Sequence, residues 1–483
     1  MYERVVDEMK RHAEILQWPV MLRTITVCLA LGLAAVSLLA QTAPREVSLI
    51  IANGTVVTMD AADRVLAPGS VAIDGADIVA VDTPSAIRAQ FRSDQVIEAW
   101  GGVIMPGLVN THTHAPMVLY RGLADDLALM EWLQKYIFPA EAKTVLPEFV
   151  RAGTRLAALE MIQSGTTTYA DMYYFEEEIA KETRAAGLRG VLGQTIIQFP
   201  VPDAKTPADG LVRAEAFIKA YRDDALITPA VAPHAMYTLD GPTLIACRDL
   251  ARRYGVPTLI HLAETQDEAR TAQERHQSSP VAYLEALGFL GPGVLAAHAV
   301  WVTPPEIAIL KARHVAVSHN PESNMKLASG TAPVPAYLAA GLAVGLGTDG
   351  AASNNDLDMF EAMRTASLLH KLQTGDPQAL PARTVLRMAT IGGARALGLD
   401  RRIGSLEPGK RADVIVVSMA SARQTPMYDP VSHLVYTTRG DDVQTTVVQG
   451  RVLMRNRKVL TLDQEAILKE ARLLSEKVKL AVK

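Results

Sequence analysis

The sequence predicts an α/β protein: a distorted parallel (β/α)8, or TIM, barrel, with a small β-sandwich built jointly by the segments that flank it. Three observations carry this expectation. First, short apolar runs recur with an ionisable residue at the C-terminal end: PGLVNTHTH (Pro106 to His114), VPTLIHLAE (Val256 to Glu264), VLAAH (Val294 to His298) and LAVGLGTDG (Leu342 to Gly350). Runs of this kind read as strands buried on both faces. Second, helical patterns alternate with them, as in PEFVRAGTRLAALEMIQSG (Pro147 to Gly165) and PVAYLEALGFLG (Pro280 to Gly291), which is a βα rhythm. Third, β-rich text punctuated by turn residues occurs on both sides of that region but not within it.

Taken in order, residues 1–43 form an N-terminal extension. Within it, MLRTITVCLALGLAAVSLLA (Met21 to Ala40) places Arg23 ahead of an apolar run and polar QTAPRE behind it, the layout of a secretory signal. The rival reading is an uncleaved inner-membrane anchor, for which the run falls short of the ~20 residues a span prefers. Either places the protein in the periplasm or on the membrane facing it, with membrane contact only through residues 21–40; a misassigned start leaves it cytoplasmic. Residues 47–105 are the first part of the sandwich, with Asn53-Gly54 and Asp74-Gly75 as hairpin turns between VSLIIA, TVVTMD, SVAID and ADIVAVD. Residues 106–403 are the barrel. Residues 404–461 return to β-rich text (GKRADVIVVSM, TTVVQGRVLMRNRKVL) as the second part of the sandwich, and 462–483 read as a terminal amphipathic helix.

The ionisable residues at the strand ends define the chemistry. Alternate residues of a strand point the same way, so His112 and His114 present two imidazoles on one side. All C-terminal strand ends of a parallel barrel converge on one mouth, which brings His261, Glu264, His298 and Asp349 to the same place from distant parts of the chain. Imidazole nitrogen and carboxylate oxygen together suit zinc or iron(II), and a catalytic site of this type keeps one position open for water.

At this point a resemblance becomes specific. The order His112-x-His114, His234, His261 with Glu264, His298 and Asp349 resembles the amidohydrolase superfamily, in its mononuclear deaminase and triazine-hydrolase branch. The segments LYRGLADDLALMEWLQKYIFPAEA (Leu119 to Ala142), APHAMYT (Ala232 to Thr238), VSHNPESNMKLASG (Val317 to Gly330) and GTDGAASNNDLDMFEAMRTA (Gly347 to Ala366) are similar to the 5′-methylthioadenosine/S-adenosylhomocysteine deaminases. The likeness runs from about Val47 to Val459. It implies one divalent metal per subunit, zinc first and iron(II) second, held by His112, His114, His261 and Asp349. It implies that Asp349 also accepts a proton from the attacking water, that Glu264 is the general acid/base and that His298 stabilises the reacting centre. Substrate contacts implied are Trp132, Glu141, His234, Glu264 and Ser353, with Trp132 packing on the ligand and Glu141 accepting from ribose hydroxyls. The expected reaction is metal-dependent hydrolytic deamination of S-adenosylhomocysteine, 5′-methylthioadenosine or adenosine to the inosyl product and ammonia. The alternative on the same scaffold is a triazine chloro- or aminohydrolase, or a deaminase of guanine or a pterin. The resemblance also implies a homo-oligomer.

Plainer readings exist for several of these residues. His234 also reads as a hydrogen-bonded structural histidine, Trp132 as core, and Glu141, two residues after Pro139, as a carboxylate favoured at a helix start. His319 follows a strand-like run and is expected near the site without touching metal; Asn320, Ser323 and Asn324 are expected to shape that loop. Some relatives carry arginines in the region that here reads GQTIIQFPVPDAK (Gly193 to Lys205), which contains none.

Composition narrows the remaining classes. A chain of 483 residues with 49% hydrophobic residues can bury a barrel core and a smaller module. A net charge of −4 leaves no basic footprint for nucleic acid. The H-x-E and P-C-x-x-C pattern of base-flipping deaminases is absent, as is a Gly-x-x-x-x-Gly-Lys phosphate loop. Of two cysteines, Cys28 falls in the N-terminal apolar run, so no structural disulfide is expected for Cys247.

Overall fold

The structure is a computed structural model that describes residues 43–482. The signal-like segment and Cys28 lie outside the described residues. Among the described residues, 43–46 and 88–92 form one small unit, in which Arg45–Glu46 runs parallel to Phe91–Arg92. The rest form the main unit. No described helix is long and apolar enough to cross a membrane.

Eight parallel strands close the barrel: β1 (Leu108–Thr113), β2 (Thr166–Tyr173), β3 (Arg189–Ile196), β4 (Ile227–Pro233), β5 (Thr258–Leu262), β6 (Val294–His298), β7 (Ala316–His319) and β8 (Val344–Leu346). Each pairs with its neighbours in sequence, and β8 closes on β1. The distortion is visible in the register. Pairing thins to the single pair Val231 with Thr258 between β4 and β5, and to Leu346 with Asn110 between β8 and β1. Every residue of these strands is buried except Thr228, which is half-buried, as expected of a parallel sheet whose sides are both covered. The helices that cover it start and stop on local signals. Helix Pro147–Ser164 opens on Pro147 and ends at Gly165 in the left-handed conformation, while helix Gly241–Tyr254 is capped by Asp240 and ends at left-handed Gly255.

The flanking segments build one module. Strands Leu49–Val57, Val65–Asp74, Asp77–Asp82, Val96–Glu98 and Val103–Pro106 from before the barrel share a nine-stranded sheet with Val414–Val417, Val443–Val448, Arg451–Arg455 and Lys458–Val459 from after it. The two halves meet where Val103–Pro106 pairs antiparallel with Val414–Val417. Asp74-Gly75 turns a hairpin as expected, but Asn53-Gly54 does not. It lies inside strand Leu49–Val57, where Asn53 at φ 60° makes a bulge and the register shifts on both sides of Gly54. The left-handed backbone that suits Asn-Gly to a hairpin turn suits it equally to a bulge. A Cβ on Gly54 would meet Ile104 at 2.8 Å, so this strand is bent against the next one. The chain closes with helix Gln464–Ala481, capped by Asp463 and tied to helix Pro147–Ser164 by Arg155 and Glu470 at 2.7 Å.

Candidate active site

The barrel delivers the expected residues to one end. His112 lies in β1 and His114 directly follows it; His234 directly follows β4; His261 lies in β5 with Glu264 just beyond; His298 ends β6; Asp349 follows β8. Turning out of a strand so abruptly needs unusual backbone. Ala263, His298 and Asp349 have φ of 51°, 70° and 63°, and such strain in non-glycine residues concentrates at functional sites. The strained backbone is braced by hydrogen bonds, Asp349 N–H to the His112 carbonyl at 2.9 Å and Ala299 N–H to the Leu262 carbonyl at 3.0 Å.

Four imidazoles and a carboxylate converge. Asp349 Oδ1 lies 3.3 Å from both His112 Nε2 and His114 Nε2, and His114 Nε2 lies 3.3 Å from His261 Nε2. His298 Nε2 is 3.9 Å from Glu264 Oε2 and 4.0 Å from Asp349 Oδ2. The outer ring atoms are anchored. His114 Nδ1 meets the Met172 carbonyl at 2.7 Å, His261 Nδ1 the His234 carbonyl at 2.9 Å, and His298 Nδ1 the Asn324 Oδ1 at 2.8 Å. On His114 and His261 the acceptor fixes a proton on Nδ1 and leaves the Nε2 lone pair facing inward, as in metal-ligating histidines. His112 Nε2 is buried with no hydrogen-bond partner. Inward lone pairs this close repel one another unless a cation lies among them, so His112, His114, His261 and Asp349 fit a single divalent metal, and His298 borders the same space.

The protonation states agree with that use. Burial depresses the His112 imidazole to about 4 against the opposing pull of the Asp349 carboxylate, and holds His261 well below its usual value. Burial would raise Asp349, but the His112, His114 and His298 imidazoles outweigh it and keep the carboxyl well below its usual range. Asp349 Oδ2 also accepts from Ser323 at 2.6 Å and Ser353 at 2.8 Å. Glu264 is shifted the other way: burial raises it, and the Asp349 charge adds to the shift against the opposing His298 imidazole. His298 is raised, because the Glu264 and Asp349 carboxylates outweigh the burial that would lower it.

Above these groups opens a cavity lined by Trp132, Glu141, Tyr173, Tyr174, His234 and Tyr237 together with Glu264, His298 and Asp349. Trp132 and Glu141 arrive on an excursion after β1, in which Trp132–Ile137 forms a π-helical turn that runs into helix Phe138–Thr144. Irregular turns of this kind inside helices concentrate at functional sites. Ser353 does not line the cavity; its hydroxyl is on Asp349. Asn324 and Ser323, expected only to shape their loop, hold His298 and Asp349. His319 sits away from the ligands, its Nε2 3.1 Å from His370 Nε2. Tyr173 and Tyr174 were missed by sequence reasoning, although they stand at the C-terminal end of β2, the position that marks the histidines on other strands. Cys247 is buried and free.

Comparison with known proteins agrees with this architecture. Residues 103–453 match the model of the amidohydrolase family. A 5-methylthioadenosine/S-adenosylhomocysteine deaminase from Syntrophobacter fumaroxidans is 48% identical over 431 residues, covering 89% of this chain and 98% of its own. A 5′-deoxyadenosine deaminase from Methanosarcina acetivorans is also 48% identical, with the same coverage of both chains. Among solved structures, an adenosine deaminase from Xanthomonas campestris with bound zinc superposes with a TM-score of 0.89 at 39% identity, covering 90% of this chain and all of its own. With a family match spanning the whole barrel and part of the module, and relatives this similar over nearly their whole length, the chain belongs to the amidohydrolase family.

Proposed function

We propose that this protein hydrolytically deaminates adenosine nucleosides with a small or modified 5′ group, such as 5′-methylthioadenosine, S-adenosylhomocysteine or 5′-deoxyadenosine, giving the inosyl product and ammonia. The observation that carries the reading is one cavity with two carboxyl groups in different surroundings, Glu264 beside the metal ligands and Glu141 held by tyrosine hydroxyls. The names of the relatives point the same way. A triazine or a bare base needs the first carboxyl but gives the second nothing to bind, so no observation favours that alternative.

The ligand set is three imidazole nitrogens and a carboxylate, which suits zinc and, secondly, iron(II). The ion, when bound, lowers the pKa of a water from 15.7 to about 7. The chain's own groups do the rest. The Asp349 carboxylate, oriented by Ser323 and Ser353, takes the proton that the attacking water gives up. Glu264, whose carboxyl is shifted by burial toward its protonated form, donates to the ring nitrogen, which makes the adjacent amino-bearing carbon electrophilic. As the carbon–nitrogen bond breaks, the proton taken by Asp349 passes to the departing amine, ammonia leaves, and the hydroxyl left on the ring carbon returns its proton to Glu264 to give the oxo product. His298, oriented by Asn324, stabilises charge at the tetrahedral carbon. Trp132 packs on the nucleoside, His234 borders the base, and Glu141 accepts from the ribose hydroxyls. Next to the cavity, sharing Leu133, Phe138 and Tyr237 with it, a groove leaves room for a 5′ substituent.

Residues 21–40 are proposed, on sequence alone, to export or anchor the protein outside the cytoplasm; alkaline phosphatase fused after residue 43 would be active only if they do. The reaction is tested by ammonia release and the ultraviolet change with zinc-loaded protein on S-adenosylhomocysteine, 5′-methylthioadenosine, 5′-deoxyadenosine, adenosine, guanine and an s-triazine in parallel. Turnover of the nucleosides is expected, with Glu264→Gln reducing it by about 10²–10⁴-fold while metal content stays unchanged. Activity confined to guanine or the triazine would overturn the reading.

A further inference from the structure

Glu141 is buried inside the cavity wall, and both of its carboxylate oxygens are already engaged by one pair of neighbouring side chains. Tyr173 donates its hydroxyl to Oε1 at 2.7 Å, and Tyr174 donates to Oε2 at 3.4 Å. The two rings lean on each other, centroids 4.8 Å apart at 43°, and both tyrosines are only 3% exposed. They come from the rigid end of β2, whereas Glu141 comes from the excursion after β1, so the barrel fixes a carboxylate that it does not itself carry. A carboxylate oxygen has two lone-pair sites. With one site on each oxygen filled from the β2 side, one site on each oxygen is left.

Two vacant acceptor sites on the two oxygens of one fixed carboxylate match two hydroxyl donors on adjacent carbons. Resting on the reading of Glu141 as the ribose contact, we infer that Tyr173 and Tyr174 are positioning residues that set the enzyme's selectivity for a 2′,3′-diol. Tyr173, with the shorter bond, fixes the plane of the carboxylate and favours its charged form. Tyr174, with the longer bond, keeps the second oxygen turned toward the cavity. Burial alone pushes the Glu141 carboxyl up, to about 7 with the tyrosine bonds opposing that rise, and a protonated acid would offer the diol a donor where it needs an acceptor. A site built to hydrogen-bond hydroxyls rejects analogues that lack them; the tyrosines make Glu141 such a site without touching the sugar.

The test compares adenosine with 2′-deoxyadenosine and 3′-deoxyadenosine on the full-length, zinc-loaded wild type, Tyr173→Phe, Tyr174→Phe and the double variant. For the wild type, kcat/KM is expected to favour adenosine over each deoxynucleoside by at least about 10-fold, the effect of about one lost hydrogen bond. Tyr173→Phe should cut that preference by about 5- to 10-fold, mainly through a higher KM for adenosine, with kcat nearly unchanged and a smaller rise in KM for each deoxynucleoside, which has one hydroxyl bond to lose rather than two. Tyr174→Phe should do so more weakly, and the double variant should resemble Glu141→Gln in its substrate ratios. A loss of activity that is equal for all three substrates, or an unchanged preference, would overturn the positioning role. A wild type that turns over none of the nucleosides would instead overturn the function on which the inference rests.

Discussion

Each ionisable side chain in the cavity has a protonation state set by what surrounds it. Glu141 gives the most direct check. Its carboxyl is raised from 4.5 to about 7, with burial the largest cause, so between about pH 4.5 and 7 the folded protein holds a proton that the unfolded chain gives up, and above about 7 it carries the carboxylate. The contribution it makes to stability is fully present below the unfolded value near 4.5 and is lost as pH rises through about 7. Glu141→Gln cannot titrate. Measured side by side with the wild type, its thermal stability should therefore gain between pH 4.5 and pH 8 by up to about 3 kcal/mol, whatever its constant offset. A difference that stays flat across that range would contradict the assigned state. The ligand histidines and Glu264 were legible in the sequence because they lie at the ends of apolar runs, where barrel geometry makes neighbours of them. The tyrosines that hold Glu141 were not, because their partner lies 32 residues upstream in an irregular segment that no periodicity places.

At the scale of elements, the active end depends on places where two elements approach closer than a side chain permits. Helix Pro147–Ser164 carries Gly153, where a Cβ would come within 2.5 Å of the Pro116 carbonyl oxygen in the turn that follows His114. In an isolated helix alanine is preferred to glycine by about 1 kcal/mol. Here the backbone contact reverses the preference: Gly153→Ala should destabilise the protein by about 1–3 kcal/mol, seen as a lower unfolding temperature, and should weaken metal retention because the displaced turn begins at His114. An unchanged or higher unfolding temperature would show that the turn can yield. The helix itself was readable from Pro147 to Gly165, with its cap. The π-helical turn Trp132–Ile137 was not, since nothing in WLQKYI separates it from an ordinary helix.

For the molecule as a whole, barrel and module share buried bonds. Arg189 at the start of β3 pairs with Asp413, which leads into strand Val414–Val417, at 3.1 Å, and both side chains are almost fully buried. Asp413 also accepts from Gln449 N–H at 2.7 Å in the module. Removing one partner of a buried pair strands the other, so Asp413→Ala should cost about 3–5 kcal/mol. Denaturant unfolding should show that loss in a transition common to barrel and module. Two separated transitions already present in the wild type would contradict such coupling. The alternation of strands and helices and the β-rich flanks revealed the fold class. That the two flanks join in one sheet through Val103–Pro106 and Val414–Val417 depends on pairing across some three hundred residues, which local patterns do not encode.

In the proposed reaction, water replaces the amino group on the purine ring. The most direct test is mass spectrometry of the product formed from 5′-methylthioadenosine by the zinc-loaded protein in water enriched in oxygen-18. The predicted result is an inosyl product that carries one heavy oxygen on the base, released together with one ammonia, with the glycosidic and thioether bonds intact. Free adenine, a cleaved thioether, or a product without the label on the base would contradict the account.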